Sequence, residues 1–132
     1  MNTLMKSLLV IGGSEVISQL MVHIFEIRGW KVEACRHHWD TALARLAGHK
    51  SFDAVILTDS LDKPVFEMIG LIRSVQHKRS LTLVVVAANR EINRDAALAA
   101  GADELLVRPF NPNSLIWAIE GRSTRRGTAI RK

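Results

Sequence analysis

Residue types able to do more than pack are few in this chain: a Gly-Gly-Ser run at Gly12, Gly13 and Ser14, a hydroxyl beside a carboxylate at Thr58 and Asp59, a guanidinium at Arg108, one thiol at Cys35, and five histidines. Backbone amides of a glycine turn that opens a helix suit an anion, and a planar guanidinium nearby would add charge. The same Gly-Gly-Ser also reads as a plain tight turn, so both readings stand at this point. Thr58 is a weak nucleophile, because no general base stands beside it to activate its hydroxyl. His23, His37, His38, His49 and His77 form no i, i+4 pair with a partnering acid, so no metal site is expected and solvated histidines are the simpler reading. Cys35 reads as a small buried hydrophobe, since its only basic neighbour, Arg36, should point the other way.

Five short apolar runs must position these groups: Leu8 to Ile11, Trp30 to Cys35, Ala54 to Leu57, Leu81 to Ala88 and Leu105 to Val107. Four are nearly continuous, as in parallel strands buried on both faces, whereas WKVEAC alternates and reads as an edge strand. Helical periods fill the gaps. Ile17, Leu20, Met21 and Ile24 mark a first helix, with Gly29 as its C-terminal stop. Asp40 is the expected cap of a second helix through Leu43 and Leu46 to Gly48. Pro64 opens a third carrying Met68, Ile69, Leu71 and Ile72, and a fourth runs from about Asn93 to Ala100 before Gly101. Asn111 and Pro112 are a cap and a first-turn proline for a last helix through Leu115, Ile116 and Ile119. On that helix Trp117 falls about 180° from the apolar midpoint, so it should be exposed, and an exposed tryptophan suits an interaction face.

With 132 residues, 48% of them hydrophobic, the chain is expected to form one compact domain over 1–121. No apolar stretch approaches the roughly 18 residues of a membrane span, and the N-terminus lacks a signal-peptide pattern, so a cytoplasmic protein without membrane contact is expected. A single cysteine excludes an internal disulfide. The formal charge of +5 divides unevenly. Residues 1–120 carry 13 basic and 13 acidic side chains, whereas 122–132 contribute only Arg122, Arg125, Arg126, Arg131 and Lys132. The excess is a basic, flexible C-terminal tail, and the neutral body argues against nucleic acid as the main partner. A tail that contacts phosphates remains an alternative, with steep salt dependence as its signature.

Alternating strands and helices predict a doubly wound parallel sheet, whose ligand crevice lies beyond the carboxyl ends of the strands. Those ends are Gly12 to Ser14, Thr58 and Asp59, Ala87 and Ala88, and Arg108 with Pro109. The segment GADELLVRPFNP, Gly101 to Pro112, resembles the signature of response-regulator receiver domains of the CheY-like type. There a helix ends at Gly-Ala, strand five follows, and a Lys-Pro-Phe triplet sets a lysine before a cis proline. The resemblance spans roughly Ser7 to Gly121 and implies a (βα)₅ flavodoxin-like sheet in the order 2-1-3-4-5. DAVIL, Asp53 to Leu57, corresponds to the third strand, which in the family leads to the phosphoaccepting aspartate.

The resemblance also implies which groups are replaced. The two acids that hold Mg²⁺ fall at Gly12 and Gly13, the phosphoacceptor at Thr58, the phosphoryl-contacting hydroxyl at Ala87, the lysine at Arg108, and the switch aromatic at Leu105. Mg²⁺ prefers several oxygen ligands with carboxylates among them, so no specific Mg²⁺ site and no other cofactor is expected. Losing three carboxylate positions while keeping Arg108 makes the pocket residues Gly12, Gly13, Ser14, Thr58, Ala87 and Arg108 a candidate anion site. Asp59 is the alternative phosphoacceptor of a genuine phosphorelay receiver, but one residue late it should point to the opposite face from Thr58 unless the strand end bulges. The expectation is an atypical pseudo-receiver in two-component-type signalling, with no enzymatic activity. It would act without phosphorylation, on a protein partner or as a homodimer, through the face of helix four, strand five and helix five, including Leu105 and Trp117.

Overall fold

The computed structural model describes residues 6–48, 52–59, 63–76, 81–88 and 91–121, so the tail over 122–132 and the histidines His49 and His77 lie outside the described residues. Strands β1 (Ser7–Ile11), β2 (Lys31–Cys35), β3 (Ala54–Thr58), β4 (Thr82–Ala87) and β5 (Glu104–Val107) alternate with helices α1 (Glu15–Glu26), α2 (Trp39–Ala47), α3 (Val65–Val75), α4 (Arg94–Ala100) and α5 (Pro112–Ile116). All neighbouring strand pairs are parallel, in the order β2-β1-β3-β4-β5. This is the flavodoxin-like architecture expected from the sequence, with the alternating segment at one edge.

Strand periodicity explains the two cores. Leu9, Ile11, Val55, Leu57, Leu83 and Val85 point to one face, where Met68, Ile69 and Ile72 of α3 cover them together with residues of α2 and α4. Leu8, Val10, Ile56, Val84 and Val86 point to the other, beneath Met21 and Phe25 of α1 and Leu115 and Ile119 of the last helix. The three central strands are therefore covered on both faces, which is why their sequences are nearly continuous in apolar residues. On the α3 side Arg73 closes the bottom of the sheet. Its guanidinium donates to the carbonyls of Gly101 (2.8 Å) and Leu81 (2.8 Å), to Gln76 (2.8 Å) and to Asp103 (3.1 Å).

Caps and stops fall close to the expected positions, with three differences, of which the smallest is that Pro64 is the N-cap of α3 and not its first-turn proline. Asn93 caps α4 by accepting from the Ala96 amide, and Asn111 caps α5 by accepting from the Asn113 amide. The cap of α2 is His38 rather than Asp40, because Trp39 is buried and draws the helix start two residues earlier. Asp40 then sits in the first turn, where its charge complements the helix dipole. The last helix does not stay α-helical; after Ile116 it widens into a π-helical turn over Trp117–Gly121. Widening brings Ala118 into the core beside Leu115 and Ile119 and leaves Trp117 46% exposed. A methyl group on Gly121 would lie 2.8 Å from the Trp117 ring, so the indole is seated against the bare backbone of Gly121. Among the described residues no helix is long and apolar enough to cross a membrane.

Candidate functional site

The carboxyl ends of β1, β3, β4 and β5 converge on the crevice predicted from the sequence. Gly12 and Gly13 leave β1 with φ of 83° and 92°, a left-handed backbone that disfavours any residue with a side chain. The Gly12 amide donates to the Cys35 carbonyl at 2.8 Å, tying the turn to β2. Ser14 is exposed and caps α1, its Oγ accepting from the Ile17 amide at 3.2 Å. Two of the expected anion-binding groups thus have structural work within the chain.

Thr58 is 4% exposed and donates its hydroxyl to the Ile11 carbonyl at 3.1 Å, while its methyl group lies 3.5 Å from where a side chain on Gly13 would begin. The threonine therefore fills the space between the β1 turn and the end of β3. Asp59 turns the other way. Both of its carboxylate oxygens accept from the Ala88 amide, at 3.0 and 3.1 Å, so it links the ends of β3 and β4. The two neighbours diverge as strand alternation requires. Ala87 is fully buried and carries no hydroxyl, and Leu105 is 6% exposed, packed into the core beneath the α4 and β5 surface. Leu105 thus supports that face from below instead of presenting a side chain to a partner.

These residues do not fit a Mg²⁺ ion. Gly12 and Gly13 offer no carboxylate, and the one carboxylate at the strand ends among the described residues, Asp59, is oriented by the Ala88 amide. Among the described residues no group of three or more His, Cys, Asp or Glu side chains is placed to hold a metal ion. Cys35 is half-buried, and burial pushes its thiol pKa upward.

The peptide bond between Arg108 and Pro109 is cis, as the signature implied. The Arg108 backbone amide donates to the Ala87 carbonyl at 2.8 Å, while the Arg108 guanidinium has no hydrogen-bond or ion-pair partner among the described residues. Arg108 borders a groove of about 450 Å³ between α1 and the β5–α5 loop, walled by Ile17, Leu20, Pro109, Phe110 and Pro112. Sequence reasoning missed this groove. Its only advance signal was Leu20, an apolar residue of α1 that remains 42% exposed.

Sequence reasoning also missed the clasp at the opposite end of the α1 layer. Arg28 makes a two-pronged pair with Glu120 (2.9 and 2.8 Å), and the Trp30 indole N–H donates to the same carboxylate at 2.9 Å. These donors hold the Glu120 carboxyl below the usual carboxylate range, with the Arg28 hydrogen bonds contributing most. On the neighbouring face Arg94 of α4 pairs with Glu104 of β5 at 2.6 and 3.1 Å.

No protein-family model matches the sequence, and no curated protein sequence matches it either. Solved structures do. A response regulator from Burkholderia pseudomallei, crystallised with a phosphorylated aspartic acid, a calcium ion and citrate, superposes with a TM-score of 0.75 at 25% identity, covering 93% of this chain and 71% of that one. The chemotaxis response regulator CheY4 of Vibrio cholerae gives 0.74 at 26% identity, over 89% of this chain and 98% of that one. A CheY-like receiver domain protein from Methanospirillum hungatei gives 0.81 at 19% identity, over 94% and 98%.

Proposed function

We propose that this chain, which has the fold of the CheY-like receiver domains of response regulators, serves two-component-type signal transduction as a receiver that works without a phosphoryl group and by protein contact. The observation that carries this reading is the engagement of the strand-end residues with one another: the Thr58 hydroxyl on Ile11 and the Asp59 carboxylate on Ala88. A phosphoryl group needs a positioned nucleophile and neutralising charge, usually a metal ion. The Burkholderia neighbour carries a phosphorylated aspartate. In this chain the corresponding position holds a buried threonine, no acid precedes it on the β1 turn, and Ala87 has no hydroxyl to relay a change to Leu105. The domain is accordingly no enzyme in this reading, and it needs no cofactor.

The test is an amide-shift titration of labelled protein with Mg²⁺ and then beryllofluoride, a mimic of the phosphoryl group. The amides of Gly12, Gly13, Thr58, Asp59 and Arg108 are expected to stay in place. Saturable shifts that spread from Asp59 to Leu105 would overturn the reading and make Asp59 the phosphoacceptor of a working relay.

A further inference from the structure

The groove beside Arg108 combines three features that together describe a ligand. Its walls are apolar: Ile17 and Leu20 of α1 on one side, Pro109 and Phe110 of the β5–α5 loop and Pro112 at the start of α5 on the other. Its volume of about 450 Å³ falls in the range of sites that enclose a small organic molecule. Among the described residues its only charged lining residue is Arg108, which is partly exposed and whose guanidinium has no partner among those residues. No carboxylate among the described residues lines the groove, and Asp59 at the nearby strand end is turned to the Ala88 amide. A cation held against an apolar wall is incompletely solvated and gains from an anion that brings its own apolar body.

We propose that this groove binds a small amphipathic carboxylate, its hydrocarbon or aromatic body on Leu20 and Phe110 and its carboxylate on the Arg108 guanidinium. The planar guanidinium matches a carboxylate with two parallel hydrogen bonds, a geometry that an alcohol of the same shape cannot reproduce. The groove adjoins the phosphoryl crevice and shares Ala88 and Arg108 with it, but its apolar walls come from α1, the β5–α5 loop and the start of α5, away from Gly12, Gly13 and Thr58. It would give the domain a chemical input that does not depend on phosphorylation.

The experiment is a set of amide-shift titrations of the full chain with 3-phenylpropionate, its neutral analogue 3-phenylpropanol, and acetate. 3-Phenylpropionate is expected to give saturable shifts at Leu20, Ala88 and Phe110, with the alcohol binding about tenfold more weakly and acetate not saturating. Arg108→Gln should erase the difference between acid and alcohol, and Arg108→Lys should restore part of it. Leu20→Glu, at an exposed position that folding tolerates, should repel the acid more than the alcohol. Equal affinity for acid and alcohol in the unaltered protein, shifts mapping to another surface, or no saturable shift in the millimolar range would each overturn the proposal. Shifts at the groove with an acidic amphipathic helical peptide, but with none of the small molecules, would also overturn it in favour of a protein partner.

Discussion

Thr58 shows how a single residue can close a crevice that its fold leaves open. Its hydroxyl satisfies the Ile11 carbonyl inside a site that is almost fully buried. Thr58→Val keeps the shape but removes the donor, and should lower stability by about 1 kcal/mol. Thr58→Asp places a carboxylate in a site that is almost fully buried, and should cost about 3 kcal/mol or more, unless the group stays protonated or pairs with Arg108. Urea midpoints of the two variants at neutral pH would check both values, and a Thr58→Asp protein as stable as the original would show that the crevice can open. The position of Thr58 was legible from the sequence by counting along the third strand. Its hydrogen bond was not, because the partner lies 47 residues away on β1. Asp59 was legible in direction, since alternation along a strand is fixed by backbone geometry, but the Ala88 amide that receives it depends on how β3 and β4 end together.

Elements were read more completely than their joints. Continuous apolar runs marked β1, β3 and β4 because burial on both faces leaves no position free to be polar, and Asn111 with Pro112 marked the start of α5 because local capping chemistry is written in adjacent residues. The widened end of the last helix was not legible, since its cause is the fit of Ala118, Ile119 and the Glu120 clasp against other elements. That clasp joins the end of α1 and the start of β2 to the last helix across 92 residues. Glu120 has its folded-state pKa depressed, so the stability it adds is present above its unfolded pKa and is lost as pH falls through the lower folded value. Glu120→Gln should therefore cost stability at neutral pH, by about 1 kcal/mol at most for a pair this solvent-exposed, and the variant should lose less on acidification than the original protein. Thermal midpoints of both proteins from pH 7 down to about pH 3 would show the curves converging. Parallel curves would mean that the carboxylate adds nothing beyond its shape.

At the scale of the molecule, a neutral body presents two large aromatic groups to solvent among the described residues, Phe66 on α3 and Trp117 at the end of the helical layer that also carries the Arg28 and Glu120 clasp. Tryptophan at this exposure suits an interface anchor, and the seat provided by Gly121 restricts the ring before any partner arrives. If the domain pairs with a second copy through this region, sedimentation equilibrium should show dimerisation weakened about tenfold or more by Trp117→Ala, with the fold intact. An unchanged association constant would remove Trp117 from the interface. The left-handed turn at Gly12 and Gly13 has a consequence for descent as well as for binding. Placing an acid at either position strains the backbone by roughly 1–2 kcal/mol, and placing one at Thr58 buries a charge, so each single step toward a metal-binding crevice is disfavoured before any benefit arrives. On the proposed reading, in which the domain works without a phosphoryl group, the turn behaves as a ratchet: a lineage carrying it can explore new inputs more easily than it can acquire a metal-binding crevice.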